Sequence, residues 1–357
     1  MKITVNTTLF KRALQTIEKG LATKAVLPIC KGVLIDARDN ITLMSNNLEI
    51  SIRTQVEGDI KEQGAIVIPG QDLIQHIRKV TTPEVTITTK SNHSVLVKSN
   101  GQYTIKGHDI SDFPESKRIT YKTTIPQATL KSAIEKTQFA TSTDQTQPVL
   151  TGVRIEIENN EVSTAATNQY CFSMFNENEG GEIDENIIIP RMATGVLVNQ
   201  LGDGEVGISY EEDFIEFALE DVVIQSRLIT GTKFPNYKAI KVSEFATEFI
   251  VDKLQLESAV EKASLCNEEK TIKMVIEGDK LTISGQGNYK NYSEDIEISK
   301  TGDDLVTGFD SKYIINYIKT VDADRIFIKS AGALAPWIFK ESEDDVRDYL
   351  VMPVRVV

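Results

Sequence analysis

The sequence predicts an α+β protein made of three tandem copies of one unit, each with two amphipathic helices packed on antiparallel sheets. Three observations lead there. One strand-then-helix pattern recurs three times, a second recurs three times at nearly the same spacing, and the stretches between them alternate with period two.

The first pattern is "ITVNTTLFKRALQTIEK", "TTIPQATLKSAIEKTQF" and "FIVDKLQLESAVEKASL". Its apolar positions are Phe10, Ala13, Leu14 and Ile17, then Leu130, Ala133 and Ile134 with Thr137, then Leu256, Ala259, Val260 and Ala263. Each set has the i, i+3, i+4, i+7 spacing of one helix face. The offsets are 120 and 126 residues. The second pattern is "AIVIPGQDLIQHIRKV", "NIIIPRMATGVLVNQL" and "LVTGFDSKYIINYIKTV", at offsets of 121 and 120. Its faces are Leu73, Ile77, Val80; Thr194, Val198, Leu201; and Ile314, Ile318, Val321. Pro69 and Pro190 suit a first helical turn, and Asp310 or Ser311 can cap the third copy. Segments such as "EVTITTKSNHSVLVKSNGQYTIKG" and "VVIQSRLITG" read as half-exposed antiparallel strands. The expected domains are 1–118, 122–243 and 247–357, each with two helices and about eight strands.

Composition sets the class. An apolar fraction of 40% and a charged fraction of 25% fit ordinary globular domains. No apolar run reaches the ~18 residues of a membrane span, and "MKITVNTTLF" does not read as a signal peptide. Cys30, Cys171 and Cys266 are too scattered for a disulfide framework or a zinc site, so a reducing cytoplasmic setting is expected. The net charge of −13 excludes a protein that coats nucleic acid with its whole surface. The charge is unevenly placed, however. The six predicted helices carry a net +7 and the remaining residues −20. Basic helices in an acidic chain suit one face turned to a polyanion, touching phosphates without reading sequence.

At this point the chain resembles the bacterial DNA sliding clamps, the β subunits of replicative DNA polymerase III. The resemblance covers the whole chain. It rests on the tripled architecture and on "LPICKGVLI" at 27–35, "QTQPVLTGVRIE" at 145–156, "FPNY" at 234–237 and the closing "LVMPVRVV". It implies DNA-clamp domains, two chains closing head to tail into a ring, helices lining the hole and sheets forming the outer wall. Double-stranded DNA threaded through such a ring is held topologically. On that reading Lys24, beside the Leu-Pro-Ile segment, contacts the DNA backbone, while Arg12, Arg78, Lys79, Arg191 and Lys312 are inferred from helix charge alone.

The resemblance also implies a pocket for short peptide motifs of the polymerase and of the ATP-dependent clamp loader. Carried over position by position, it comprises Leu150, Thr167, Gln169, Tyr170, Cys171, Phe172, Pro235, Ile240, Leu350, Met352, Pro353, Val354 and Arg355. The expected chemistry is an apolar anchor site with a few polar groups at its rim. One segment departs from the family. Its usual Thr-Asp-(Gly/Ser)-His-Arg-Leu stands here as "TNQYCFS", with Tyr170, Cys171 and Phe172 at the His, Arg and Leu positions. A bulkier, less basic pocket follows. For ring closure the family places an apolar residue at Leu265; Ser264 replaces another, and Ile105 on an expected edge strand is its candidate partner.

Other motifs carry less. "GDGEVG" at 202–207 matches G-x-G-x-x-G, but a helix precedes it and a strand follows, the reverse of a dinucleotide site, so it reads as a turn. The acidic run "ESEDD" at 341–345 reads as a solvated turn and not a metal site. His76, His93 and His108 lie in separate segments with no nucleophile signature. Trp337 reads as core or pocket wall, and Cys171 as a small buried apolar residue and not a reactive thiol. No catalytic residue, metal or cofactor is expected. The leading function is a DNA polymerase processivity factor that also serves repair proteins. The alternative is a divergent clamp paralogue that captures partners and regulates replication or repair.

Overall fold

The computed structural model describes residues 1–22, 27–114, 122–158, 161–178, 183–211, 213–231, 233–236, 244–343 and 345–356. The first third of the chain runs β1 (Lys2–Asn6), α1 (Thr7–Glu18), β2 (Gly32–Asp36), β3 (Thr42–Asn46), β4 (Ile50–Gln55) and β5 (Gly58–Glu62). It continues with β6 (Ala65–Pro69), α2 (Gly70–Arg78), β7 (Glu84–Thr89), β8 (Ser94–Lys98) and β9 (Gln102–Lys106). The middle third holds β10 (Thr123–Pro126), α3 (Gln127–Glu135), β11 (Gly152–Glu158), β12 (Glu161–Thr167) and β13 (Cys171–Glu177). It ends with β14 (Ile183–Pro190), α4 (Arg191–Val198), β15 (Glu205–Glu211), β16 (Phe214–Ala218) and β17 (Val222–Arg227). The last third holds β18 (Thr247–Asp252), α5 (Lys253–Ser264), β19 (Thr271–Glu277), β20 (Lys280–Gln286), β21 (Asn291–Glu297) and β22 (Ser299–Gly302). It closes with β23 (Leu305–Asp310), α6 (Ser311–Ile318), β24 (Arg325–Ser330), β25 (Trp337–Lys340) and β26 (Arg347–Val351).

The chain divides into two compact units, residues 1–128 with 195–228, and residues 129–194 with 229–357. This division differs from the sequence repeat, and the sheets explain why. In the first unit, five strands run β5-β1-β7-β8-β9 and eight run β10-β15-β16-β17-β4-β3-β2-β6. The eight-stranded sheet is fused by antiparallel pairing of β17 with β4, from Val222↔Thr54 to Ser226↔Ile50. In the second unit, nine strands run β14-β11-β12-β13-β26-β25-β24-β18-β22 and four run β21-β20-β19-β23. There the fusion is β13 with β26, from Cys171↔Val351 to Phe175↔Arg347. Half of the middle repeat thus shares a sheet with the first repeat and half with the third.

The helices bury the faces that the periodicity predicts. Phe10, Leu14 and Ile17 on α1, Leu130, Ala133 and Ile134 on α3, and Leu256, Ala259, Val260 and Ala263 on α5 are all at most 1% exposed, with Ala13 close behind. At α4 the expected Thr194 and Leu201 are buried, but Val196 and Leu197 are buried in place of Val198, which is only half-buried. Helix starts follow side-chain chemistry. Asn6 accepts from the Thr8 and Leu9 amides at 2.9 and 3.2 Å, Asp252 from Gln255 at 2.9 Å and Asp310 from Lys312 at 3.0 Å. Pro69 and Pro190 close strands β6 and β14 just before their helices, one position earlier than expected.

Two lysines act inside the fold. Lys11 donates to the Val80 carbonyl at 2.6 Å, just past α2, and Lys253 donates to the Val321 carbonyl, just past α6. Each ammonium satisfies a helix-end carbonyl where the dipole is negative. Lys11 is therefore part of the packing between α1 and α2, not a free member of a basic face.

Within the acidic run, Ser342 and Glu343 are exposed as expected, but Glu341 and Asp345 are half-buried. Glu341 faces Arg347, whose side chain is completely buried, at 3.6 Å and Lys136 at 3.9 Å. The guanidinium donates to Thr320 Oγ1 at 2.7 Å and lies 4.5 Å from the Tyr317 ring centre and 5.3 Å from that of Phe139. Trp337 is fully buried, edge-on to Phe309 at 5.3 Å and Phe249 at 6.1 Å, so it belongs to the core. Removing one partner of a buried ion pair leaves the other uncompensated. Arg347→Ala should lower stability by about 3 kcal/mol in urea unfolding, whereas Arg347→Met with Glu341→Gln should recover most of the loss. Equal losses in the two variants would show that the charges do not determine the effect.

Candidate peptide-docking site at the second unit's tail

The site begins with a turn. Asn168 Oδ1 accepts from the amides of Tyr170 and Cys171 at 3.0 and 2.9 Å, and Gln169 takes a left-handed backbone with φ +78°. Thr167 Oγ1 donates to the Cys171 carbonyl at 2.7 Å and accepts from the Gln169 amide at 3.2 Å. Gln169 Nε2 reaches Gln147 Oε1 at 2.6 Å, tying the turn to the segment before β11. The departing segment "TNQYCFS" is thus a well-braced corner whose tip, Tyr170, is 57% exposed.

From that corner β13 alternates. Phe172 and Met174 point to one face, where they pack with Ala165, Ile188, Phe234, Ile338 and Leu350. Cys171 and Ser173 point to the other. The Ser173 hydroxyl donates to the Lys136 carbonyl at 2.7 Å, and Cys171 lies buried beside Tyr349. Among the expected pocket residues, Phe172 and Leu350 are therefore brought together on the apolar face and Cys171 is turned away from it. Burial pushes the Cys171 thiol up to about 12, which keeps it protonated and unreactive.

The chain end passes alongside. Strand β26 ends at Val351; the Met352 amide still donates to the Tyr170 carbonyl at 2.8 Å, and Pro353, which has no amide hydrogen, follows. The Val354 amide then donates to the Gly308 carbonyl at 2.8 Å. Gly308 permits this approach: a Cβ there would lie 2.2 Å from Val356 Cγ1 and 3.1 Å from the Val354 carbonyl oxygen. Met352 and Arg355 are exposed, and Pro353 and Val354 half-buried. Leu150 is buried in the short 3₁₀ turn Pro148–Thr151, and Pro235 is exposed next to buried Phe234. Ile240 lies outside the described residues.

Sequence reading missed Phe234, Ile338 and Met174, which complete the apolar face, and Tyr313, which stacks on Tyr170 with ring centres 6.2 Å apart. Two signals were legible: Phe234 stands in the "FPNY" motif beside Pro235, and Met174 follows Phe172 by the strand period of two. Ile338 and Tyr313 come from remote segments with no local cue.

The DNA candidates separate. Arg12 on α1, Arg78 and Lys79 at the end of α2, and Arg191 at the start of α4 are exposed, with Arg78 paired to Glu18. Lys312 sits elsewhere in character. It binds Asp310 at 2.6 Å and lies 4.6 Å above the Tyr313 ring, so it joins the tail site; the Asp310 hydrogen bond raises its pKa. Lys24 lies outside the described residues. Among the described residues, β9 and β21 stand at the ends of their sheets, each with one unpaired side. Ile105 on β9 is buried, whereas Leu265, which caps α5, is 73% exposed beside half-buried Ser264. Among the described residues no helix is long and apolar enough to cross a membrane, and no group of acidic, His or Cys side chains could hold a metal ion.

Three sequence profiles of the DNA polymerase III beta subunit match in order: its N-terminal domain over residues 1–117, its central domain over 124–236 and its C-terminal domain over 242–355. The chain belongs to the DNA polymerase III beta subunit family. The beta sliding clamps of Staphylococcus epidermidis and Staphylococcus aureus are each 26% identical over an alignment of 375 residues that covers 99% of both proteins. The crystal structure of the Bacillus subtilis DNA polymerase sliding clamp superimposes with a TM-score of 0.94 at 24% identity, each chain fully covered. That of a Bartonella birtlesii sliding clamp bound to griselimycin does so at 0.94 and 26%, again with full coverage. As a member of this family the chain is a DNA polymerase processivity factor, and the full-length matches favour that role over the partner-capturing paralogue.

The thiol environments give a direct check. With iodoacetamide at pH 8, half-buried Cys266 should be alkylated first, while Cys30 and Cys171, both raised by burial, should stay unmodified until the protein unfolds. Peptide mapping by mass spectrometry reads the order; early labelling of Cys171 would contradict the site as described.

Proposed function

We propose that two copies of this chain close head to tail around duplex DNA, and that the tail site of the second unit docks short peptide motifs of the polymerase, the ATP-dependent clamp loader and repair proteins. The observation that carries this reading is the apolar face of Phe172, Phe234, Ile338 and Leu350 beside the chain end. Apolar anchors of this kind accept bulky aliphatic or aromatic side chains, and the exposed Tyr170 and Met352 add adaptable contact area. The three repeats, 1–118, 122–243 and 247–357, would each supply one sixth of the ring. The protein performs no chemistry of its own on this reading and works in the cytoplasm.

Closure is assigned to the free edges. β9 carries Lys106, whereas β21 carries Glu294, Asp295 and Glu297. Antiparallel addition of β9 of one copy to β21 of the next would satisfy both rows of backbone groups and pair opposite charges. Leu265, at the neighbouring end of α5, would be covered in the process. Leu265→Asp should convert a dimer of about 80 kDa into a monomer of 39.7 kDa in sedimentation equilibrium, without loss of thermal stability, because the residue is exposed in the single chain. An unchanged dimer mass would move closure away from this edge.

Loaded by a clamp loader with ATP, the protein should stay on circular DNA and run off the same DNA once it is linearised. Equal escape from both forms would defeat the encircling reading. Deletion of residues 352–357 leaves β26 intact; it should abolish binding of a clamp-motif peptide in fluorescence anisotropy while the protein stays folded. Undiminished binding by the shortened chain would reassign the docking site.

A further inference from the structure

The tail site has a counterpart inside the first unit, built from equivalent positions of the repeat. Asn47 Oδ1 accepts from the amides of Glu49 and Ile50 at 3.0 and 2.8 Å, as Asn168 does 121 residues later, and Leu48 takes φ +76° where Gln169 takes +78°. β4 then pairs with β17 as β13 pairs with β26. The apolar clusters also correspond. Met44, Val67 and Phe113 stand 121 residues before Ala165, Ile188 and Phe234, and Ile29 stands 120 before Val149. What differs is the wall. The register places Ser51 and Gln225 where the tail site has Phe172 and Leu350.

Between these elements lies a cavity of 870 Å³, within the range of sites that hold a drug-sized molecule or a peptide anchor. Leu34, Met44, Ile110, Phe113 and Val223 supply its apolar lining. Its charge is lopsided. Asp36 holds Arg38 through a bidentate contact, and among the described lining residues Glu220 and Asp221 are exposed at the rim, with Arg53 also in the lining. An apolar floor under an acidic rim selects a cation-bearing ligand with a bulky apolar group.

We infer that this cavity is a second peptide-docking site, specific for a linear segment in which a large aliphatic or aromatic side chain is flanked by lysine or arginine. The anchor enters between Met44 and Phe113, and the flanking cations meet Glu220 and Asp221. One chain could engage two different segments at once, which raises the effective concentration of the second after the first has bound.

The six methionines give a local readout in the intact protein: Met44 lines the cavity, while Met174 and Met352 mark the tail site. With methionine methyl groups labelled with ¹³C, the full chain is titrated with two synthetic peptides that share a Leu-Phe anchor, one flanked by lysines and the other by glutamates. The lysine peptide should shift the Met44 methyl signal and leave Met352 in place, and the glutamate peptide should leave Met44 unmoved. Glu220→Lys with Asp221→Lys should weaken the lysine peptide about tenfold or more. Both residues are exposed in the turn closed by the Leu219 amide on the Val222 carbonyl at 2.8 Å, and unchanged signals of the other methionines report that the variant is folded. An unmoved Met44, an equal response to both peptides, or full affinity in the double variant would each overturn the inference. None of these outcomes would touch retention on circular DNA, so the processivity role is judged separately.

Discussion

The rest of the structure depends on two strand pairings between repeats, β4 with β17 and β13 with β26. An α+β unit of this size ends in exposed sheet edges, and each edge presents unpaired amides and carbonyls. Here consecutive repeats satisfy those groups by pairing with one another, which turns separate sheets into sheets of eight and nine strands. The pairing fixes register as well as connection. Because side chains alternate, a slip of one residue in β26 against β13 would turn Leu350 away from Phe172 and put Tyr349 in its place. Both apolar clusters lie on these junctions, so the same hydrogen bonds that join the repeats also set which side chains meet there.

Charge is used locally. Lys11 and Lys253 neutralise carbonyls at the ends of the partner helices, and Arg347 is buried between two aromatic rings and Glu341. The basic character of the helices is therefore partly structural, while Arg12, Lys19, Lys79, Arg191 and Lys319, on the helices or capping them, remain exposed. Phosphate contact through long exposed side chains suits a protein that must move along a duplex without reading bases.

Much of the fold was legible because helix periodicity is a one-dimensional signal. The faces of α1, α3 and α5 were read residue for residue, whereas α4 was off by one position, since its apolar run "MATGVLV" leaves the period ambiguous. The tail site was legible only in part. Phe172, Leu350 and Phe234 stand in or beside recognisable segments, but the orientation of Cys171 follows from strand phase, which the turn at Asn168 sets and composition does not. Tyr313 and Ile338 arrive from other segments of the second unit, and no local pattern announces a contact between residues more than a hundred positions apart.

By itself the sequence determined the number of repeats, their helices, the sign asymmetry of charge and the likeness to the clamp family, because each of these is carried by spacing and composition along the chain. Only the tertiary structure decided that the compact units cut through the middle repeat, that the last strand stops at Val351, and that Met44 and Phe113 rebuild in the first unit what Ala165 and Phe234 form in the second. Strand partners are chosen by complementary edges and registers between distant segments. That choice is a property of two chain segments together, and no single segment encodes it.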